Sequence, residues 1–176
     1  MNLTAKTRVG FTIVELLIVI VVIGILAFIA VAAYNGVQKN SQVTRMKADL
    51  SQLSTAIQLA RQADANVLLG ITGSTYTAGG CVGKVAGTDL AALPRSDGCW
   101  VSYLQALDRI STSSGTNVRN LVDPWGRPYF IDENEGESGG CGLDTISAYA
   151  QVFNAGATFA SVSISIRHIG LTGCTV

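Results

Sequence analysis

The chain has 176 residues, enough for one domain with a real core plus an appendage, and too few for two large folded domains. Hydrophobic residues make up 48% and charged residues 14%, which excludes a disordered chain, and 12 basic against 12 acidic side chains exclude binding to polyanions by bulk charge. Setting aside Lys6 and Arg8 leaves the remainder mildly acidic.

The apolar excess is concentrated near the start. From Phe11 to Ala33 the residues are mostly Ile, Val, Leu and Ala, with Glu15 as the single charge. A helix of that length crosses a hydrocarbon core of about 30 Å. An ordinary secretory signal has a shorter apolar stretch followed by a small-residue cleavage site, whereas here the run continues into an amphipathic segment. Lys6 and Arg8 precede the run, so the positive-inside rule predicts a cytoplasmic N-terminus and an exported C-terminal part. An acid inside an apolar span is costly, and Glu15 reads in two ways: hydrated close to the headgroups, or paired with a cation.

After Tyr34-Asn35-Gly36, apolar residues recur at Val43, Met46, Leu50, Leu53, Ile57 and Ala60, the 3–4 spacing of one helix face. Gln42, Thr44, Arg45, Lys47, Asp49, Ser51, Gln52 and Gln58 lie between them, so the other face is wet. The stripe lasts only about two and a half heptads, which favours packing on a sheet over a coiled coil. The spacing predicts one helix from Phe11 to about Gln62, about 78 Å long, with Gly24 and Asn35-Gly36 as its weak points.

Residues 63–127 predict an irregular connection, broken by glycines 70, 73, 79, 80, 83 and 87. Gly79-Gly80-Cys81-Val82-Gly83-Lys84 superficially suggests a phosphate loop, but Ala78 and Val85 occupy the positions that motif needs for glycine and hydroxyl, so nucleotide binding is rejected. Trp100, Val101, Leu104, Leu107 and Ile110 have helical spacing, and Ser111 to Gly115 reads as a turn or loop. Three strands follow. Tyr129 to Asp132 is entered through the turn Asp123-Pro124-Trp125-Gly126. Ile146, Ala148, Ala150 and Val152 alternate with Thr145, Ser147, Tyr149 and Gln151. Ala160, Val162, Ile164 and Ile166 alternate with serines, and Arg167 ends the run. The predicted class is α+β: a long N-terminal helix packed on a small antiparallel sheet.

Four cysteines beyond the apolar run suit an oxidising exterior and allow three connectivities. Cys81 with Cys99 and Cys141 with Cys174 is the favoured pairing, each bridge contributing about 3 to 4 kcal/mol by loop entropy. Without a CxxC pair, and with His168 as the one histidine, at the end of the last strand, zinc is disfavoured and His168 reads as structural. No nucleophile has an evident base, and the predicted protein is not an enzyme.

The segment from Lys6 through Gly10 and Phe11-Thr12-Ile13-Val14-Glu15-Leu16-Leu17-Ile18-Val19-Ile20 closely resembles the prepilin signal of type IV pilins and type II secretion pseudopilins. That resemblance implies cutting by a prepilin peptidase between Gly10 and Phe11, N-methylation of Phe11, and pairing of Glu15 with the terminal amine of a neighbouring subunit, so that the charge fixes the axial offset between packed helices. It divides the chain into a leader, 1–10, a membrane and filament-core helix half, 11–38, and an extracellular pilin head, 39–176. It implies a homopolymer built through the helix, a motor ATPase, an assembly platform, other minor pilins as partners, and residence in the cytoplasmic membrane before assembly and at the cell surface after. Adhesion, twitching motility and DNA uptake are the tasks of such filaments. Asp123-Pro124-Trp125-Gly126-Arg127-Pro128-Tyr129 is similar to the DPWGxPY element of major pseudopilins, which keeps open an alternative, a pseudopilin driving protein export. In those proteins the following loop binds calcium (Ca2+), which here falls on Asp132, Asn134, Glu135 and Asp144; the bare residues read equally as a solvated acidic loop. Cys141 and Gly139-Gly140 depart from the pseudopilin pattern.

Overall fold

The structure, a computed structural model, describes residues 11–73, 79–85, 87–137, 140–149 and 163–167. Its elements in chain order are α1 (Ile13–Asp64), α2 (Leu68–Thr72), α3 (Gly79–Val82), α4 (Gly98–Ser114), β1 (Phe130–Asp132), β2 (Thr145–Ser147) and β3 (Ser163–Ser165). Two compact units meet between Ser41 and Gln42. Helix α1 is continuous through Gly24 and Asn35-Gly36, where the sequence suggests weak points. Glycine in a helix costs about 1 kcal/mol against alanine, too little to interrupt so long an apolar run.

In the head, the stripe on α1 is the core. Met46, Leu50, Leu53, Ala56, Ile57 and Ala60 are all buried, with Val43 partly so. They share one apolar cluster with Trp100, Tyr103, Ala106, Leu107 and Ile110 of α4 and with Ile131 and Ile146 of the sheet. Burying a large aliphatic side chain contributes about 1.5 to 3 kcal/mol. A helix with this stripe is therefore held chiefly by its packing.

Helix α4 is longer than the sequence suggests, because Ser111–Ser114, expected as a turn, is helical. Serine and threonine hydroxyls usually compete with the helix by bonding nearby backbone. Here the Thr112 hydroxyl donates back to the Asp108 carbonyl at 2.8 Å, and the Ser111 hydroxyl accepts from the Val118 N–H at 3.0 Å, so both are satisfied within the helical geometry. Asp97 caps the other end, its carboxylate accepting from the Cys99 N–H at 2.9 Å, and Gly115 closes the helix with a φ of 69° that favours glycine. The short helices α2 and α3 fall in the segment expected to be irregular.

The strands form an antiparallel sheet in the order β1-β2-β3. Ile131 faces Ile146, which faces Ile164, one cross-strand row laid on the core. β3 keeps the predicted alternation, with Ser163 and Ser165 exposed and Ile166 buried. β2 does not: Ser147 and Tyr149, expected to face solvent, are both buried. Tyr149 packs in a second cluster with Cys81, Leu90, Cys99 and Phe130. Phe130 and Tyr149 meet edge to face, with ring centroids 5.9 Å apart. Residues 150–162 lie outside the described residues, so the outer ends of both predicted strands do too.

The turn into β1 is organised by one carboxylate. Asp123 Oδ1 accepts from the N–H groups of Trp125 (2.9 Å) and Arg127 (2.8 Å), and Oδ2 accepts from Arg127 Nε at 2.7 Å. Gly126, with φ of 81°, supplies the left-handed step. This delivers Tyr129 into the core, where its hydroxyl donates to Asp49 on α1 at 2.7 Å.

Candidate functional site

The N-terminal unit carries an apolar face with nothing covering it. Ile13–Val31 has a mean hydropathy of 3.2 and is wholly unburied, with Ile13 85% and Phe28 77% exposed. A patch of this size far exceeds what a soluble monomer leaves in water, and 19 helical residues are long enough to cross a membrane. Such a surface fits burial in lipid or against other helices.

Glu15 sits at the head of this arm. Thr12 precedes the first helical residue and Glu15 is the third within, so the pair forms a reciprocal capping box. Glu15 Oε2 accepts from the Thr12 N–H at 2.9 Å and from the Thr12 hydroxyl at 2.7 Å, while the Thr12 hydroxyl accepts from the Glu15 N–H at 3.2 Å. The negative charge also lies at the positive end of the helix dipole. Oε1 has no hydrogen bond among the described residues, and Phe11 beside it is 84% exposed. The Thr-x-x-Glu spacing, visible in the sequence, was the signal for Thr12. Gly10 lies outside the described residues.

In the acidic loop of the head, two of the four residues expected to bind calcium are engaged by a basic side chain. Glu135 and Asp144 are buried, and both are paired with Arg61, which is itself fully buried near the end of α1. Arg61 Nη1 lies 3.3 Å from Asp144 Oδ2 and donates to the Arg167 carbonyl at 2.9 Å, while Nη2 donates to Glu135. Asp144 Oδ1 accepts from the N–H groups of Asn134 (2.8 Å) and Glu135 (2.9 Å). The Asn134 side chain donates to the Leu143 carbonyl at 3.1 Å, and Asp132 is half-buried at the end of β1. Buried Glu133 accepts from the Thr72 hydroxyl. Burial pushes the Asp144 carboxyl above the ordinary aspartate range, against the pull of the backbone N–H groups and of Arg61. Among the described residues no three His, Cys, Asp or Glu side chains gather as a metal-binding group. The positive charge within the loop comes from an arginine, which the sequence reading missed. Its signal was position: Arg61 is four residues after Ile57 and eight after Leu53, on the buried stripe, where a charge requires a buried partner.

The expected bridge between Cys81 and Cys99 is formed, joining α3 to the start of α4, and beside it Lys84 Nζ lies 2.6 Å from Asp97. Cys141 is also disulfide-bonded; Cys174, its expected partner, lies outside the described residues, as does His168.

No family model matches the chain. No solved structure matches it. Among curated proteins, it is similar to the type IV major fimbrial protein FimA of Dichelobacter nodosus, 34% identical over 122 residues that cover 65% of this chain and 76% of that protein. It is similar to a fimbrial protein of Pseudomonas aeruginosa, 30% identical over 128 residues, 66% of this chain and 77% of the relative. A type IV major alpha-pilin of Moraxella bovis is 49% identical over 51 residues, 29% of this chain and 32% of the relative. These are structural fimbrial proteins, and the present chain is not an enzyme. With an apolar helical arm, an α+β head and this extent of identity, the chain belongs to the type IV pilin family.

Proposed function

We propose that the chain is the structural subunit of a type IV pilus-like surface filament, made by packing the arms of many copies. The uncovered apolar helix carries this reading. In the bilayer lipid covers it, and in a fibre other copies do, so extraction exchanges one apolar surrounding for another. The head-to-tail interface does not close, and growth is open-ended. A prepilin peptidase cuts between Gly10 and Phe11 on the cytoplasmic face, the new amine is methylated, and Glu15 Oε1 of one chain meets the Phe11 amine of its neighbour. Thr12 holds the other carboxylate oxygen meanwhile. Extraction requires work, which a motor ATPase acting through a membrane platform supplies, and minor pilins join the assembly. The head faces outward, consistent with a fibre serving adhesion, twitching motility or DNA uptake. The Asp123–Arg127 turn favours a second reading, a secretion pseudopilin, whereas the fimbrial relatives favour the pilus.

The acidic loop fits this reading without calcium, because Arg61 already supplies the charge that Glu135 and Asp144 need. Electron microscopy of sheared surface material tests assembly. Wild type gives fibres, and Glu15→Val, which still inserts in the membrane, gives few or none. Normal fibres from Glu15→Val overturn the role given to that carboxylate.

A further inference from the structure

On the head, Arg95, Leu104, Asn120 and Val122 line a pocket of about 280 Å³. This lies near the lower end of the size range of small-molecule sites, about 300 Å³. Its chemistry is mixed in a particular way. The Arg95 guanidinium carbon lies 3.3 Å from the ring centroid of Trp100, which is fully buried and anchored by its indole N–H donating to the Leu90 carbonyl at 2.9 Å. One face of the guanidinium is thus fixed on a rigid platform. Its N–H edge makes no hydrogen bond or ion pair among the described residues, and neither does the Asn120 amide. Arg45 adds positive charge nearby, donating to the Val122 carbonyl at 3.5 Å while 3.6 Å from Asp49. Asp108, one helical turn beyond Leu104, is paired with Arg119 at 2.6 Å.

We infer that this pocket binds the carboxylated sugar unit of an acidic polysaccharide. A guanidinium held on an aromatic ring presents its fork to a carboxylate in the planar geometry that pairing requires. An amide with both a donor and an acceptor matches ring hydroxyls. Leu104 and Val122, both half-buried, offer an apolar surface to the C–H face of a pyranose. A site this small and open binds weakly on its own. Repetition along a fibre converts weak contacts into avid attachment, with gains of about a hundredfold or more. Only this avidity rests on the filament reading; the pocket's binding is a property of the single subunit.

The test uses the full chain in detergent micelles, observed by saturation-transfer NMR with glucuronate and glucose as probes and inorganic phosphate as a competitor. Expected are saturable binding of glucuronate and binding of glucose about tenfold weaker or more. Arg95→Gln should also weaken glucuronate binding about tenfold, with Arg95→Lys intermediate and Asn120→Ala reduced severalfold. The inference is overturned by any of three results: glucose binding as well as glucuronate, phosphate displacing glucuronate at equal or lower concentration, or no saturable glucuronate binding. Unchanged binding by Asn120→Ala together with either Arg95 variant also overturns it. Because the measurement uses separate subunits, its failure is distinct from a failure to polymerise.

Discussion

Removing the guanidinium of Arg61 while leaving its partners in place strands two buried carboxylates. In Arg61→Met the side-chain volume is roughly kept, and the carboxylates of Glu135 and Asp144, both buried, lose the cation they face. Breaking a buried ion pair from one side costs about 3 to 5 kcal/mol, because the remaining charge stays desolvated. Domain stabilities are about 5 to 15 kcal/mol, so the variant should retain a fold with a much reduced margin. With a urea slope of about 2 kcal/mol/M, the unfolding midpoint falls by about 2 M. The assay is urea unfolding of the full chain in detergent, followed by tryptophan fluorescence, since Trp100 is in the core. Adding Glu135→Gln and Asp144→Asn to Arg61→Met should recover much of the loss, because no uncompensated charge remains.

The same variant carries a pH signature. In the wild type, burial raises the Asp144 carboxyl above its unfolded value, so the native state binds the proton more readily than the unfolded chain. Stability associated with this group therefore falls as pH rises through the interval between the two values, and is regained below it. Without Arg61 the interval widens upward, and the deficit of Arg61→Met should be larger at neutral pH than in mild acid. A loss below about 1 kcal/mol, or one independent of pH, refutes the claim that Arg61 holds the loop.

Three further outcomes are expected. Replacing Cys81 and Cys99 together by serine opens a crosslink of sequence separation 18 and should cost about 3 kcal/mol, read as a lower melting temperature that reductant does not lower further at this bridge. Lys84, then the Cys99 N–H, holds the Asp97 carboxyl below the ordinary aspartate range, so its stabilisation is complete above the unfolded pKa and lost as pH falls through the lower, folded one. The melting temperatures of wild type and Asp97→Ala should therefore converge only at the acid end of the carboxylate range. Chelating divalent cations should leave the wild-type melting temperature within about 1 °C, and a fall of several degrees would place calcium in the loop.

The α1 stripe was legible because it repeats one simple rule over five turns, and Ile13–Asp64 lies close to the boundaries that rule predicts. The Ile131-Ile146-Ile164 row was legible for the same reason in a sheet. What local patterning did not reveal depended on distant residues. Ser147 and Tyr149 alternate as outward positions do, yet both are buried, and Tyr149 packs with Cys81, Leu90 and Cys99 from a distant segment. The acidic loop looks like a site for a hard cation when its own residues are counted. The arginine that pairs with two of them, Arg61, lies 74 residues before Glu135. Glu15 was legible as the one charge in the apolar run, and its pairing with Thr12 follows from the spacing of a capping box.

The central claim is that this chain leaves the membrane as a processed fibre subunit. Mass spectrometry of the N-terminal peptide from fibres sheared off the cell surface tests it most directly. The account predicts a peptide beginning at N-methylated Phe11. A chain found only in membranes and still beginning at Met1 would contradict it.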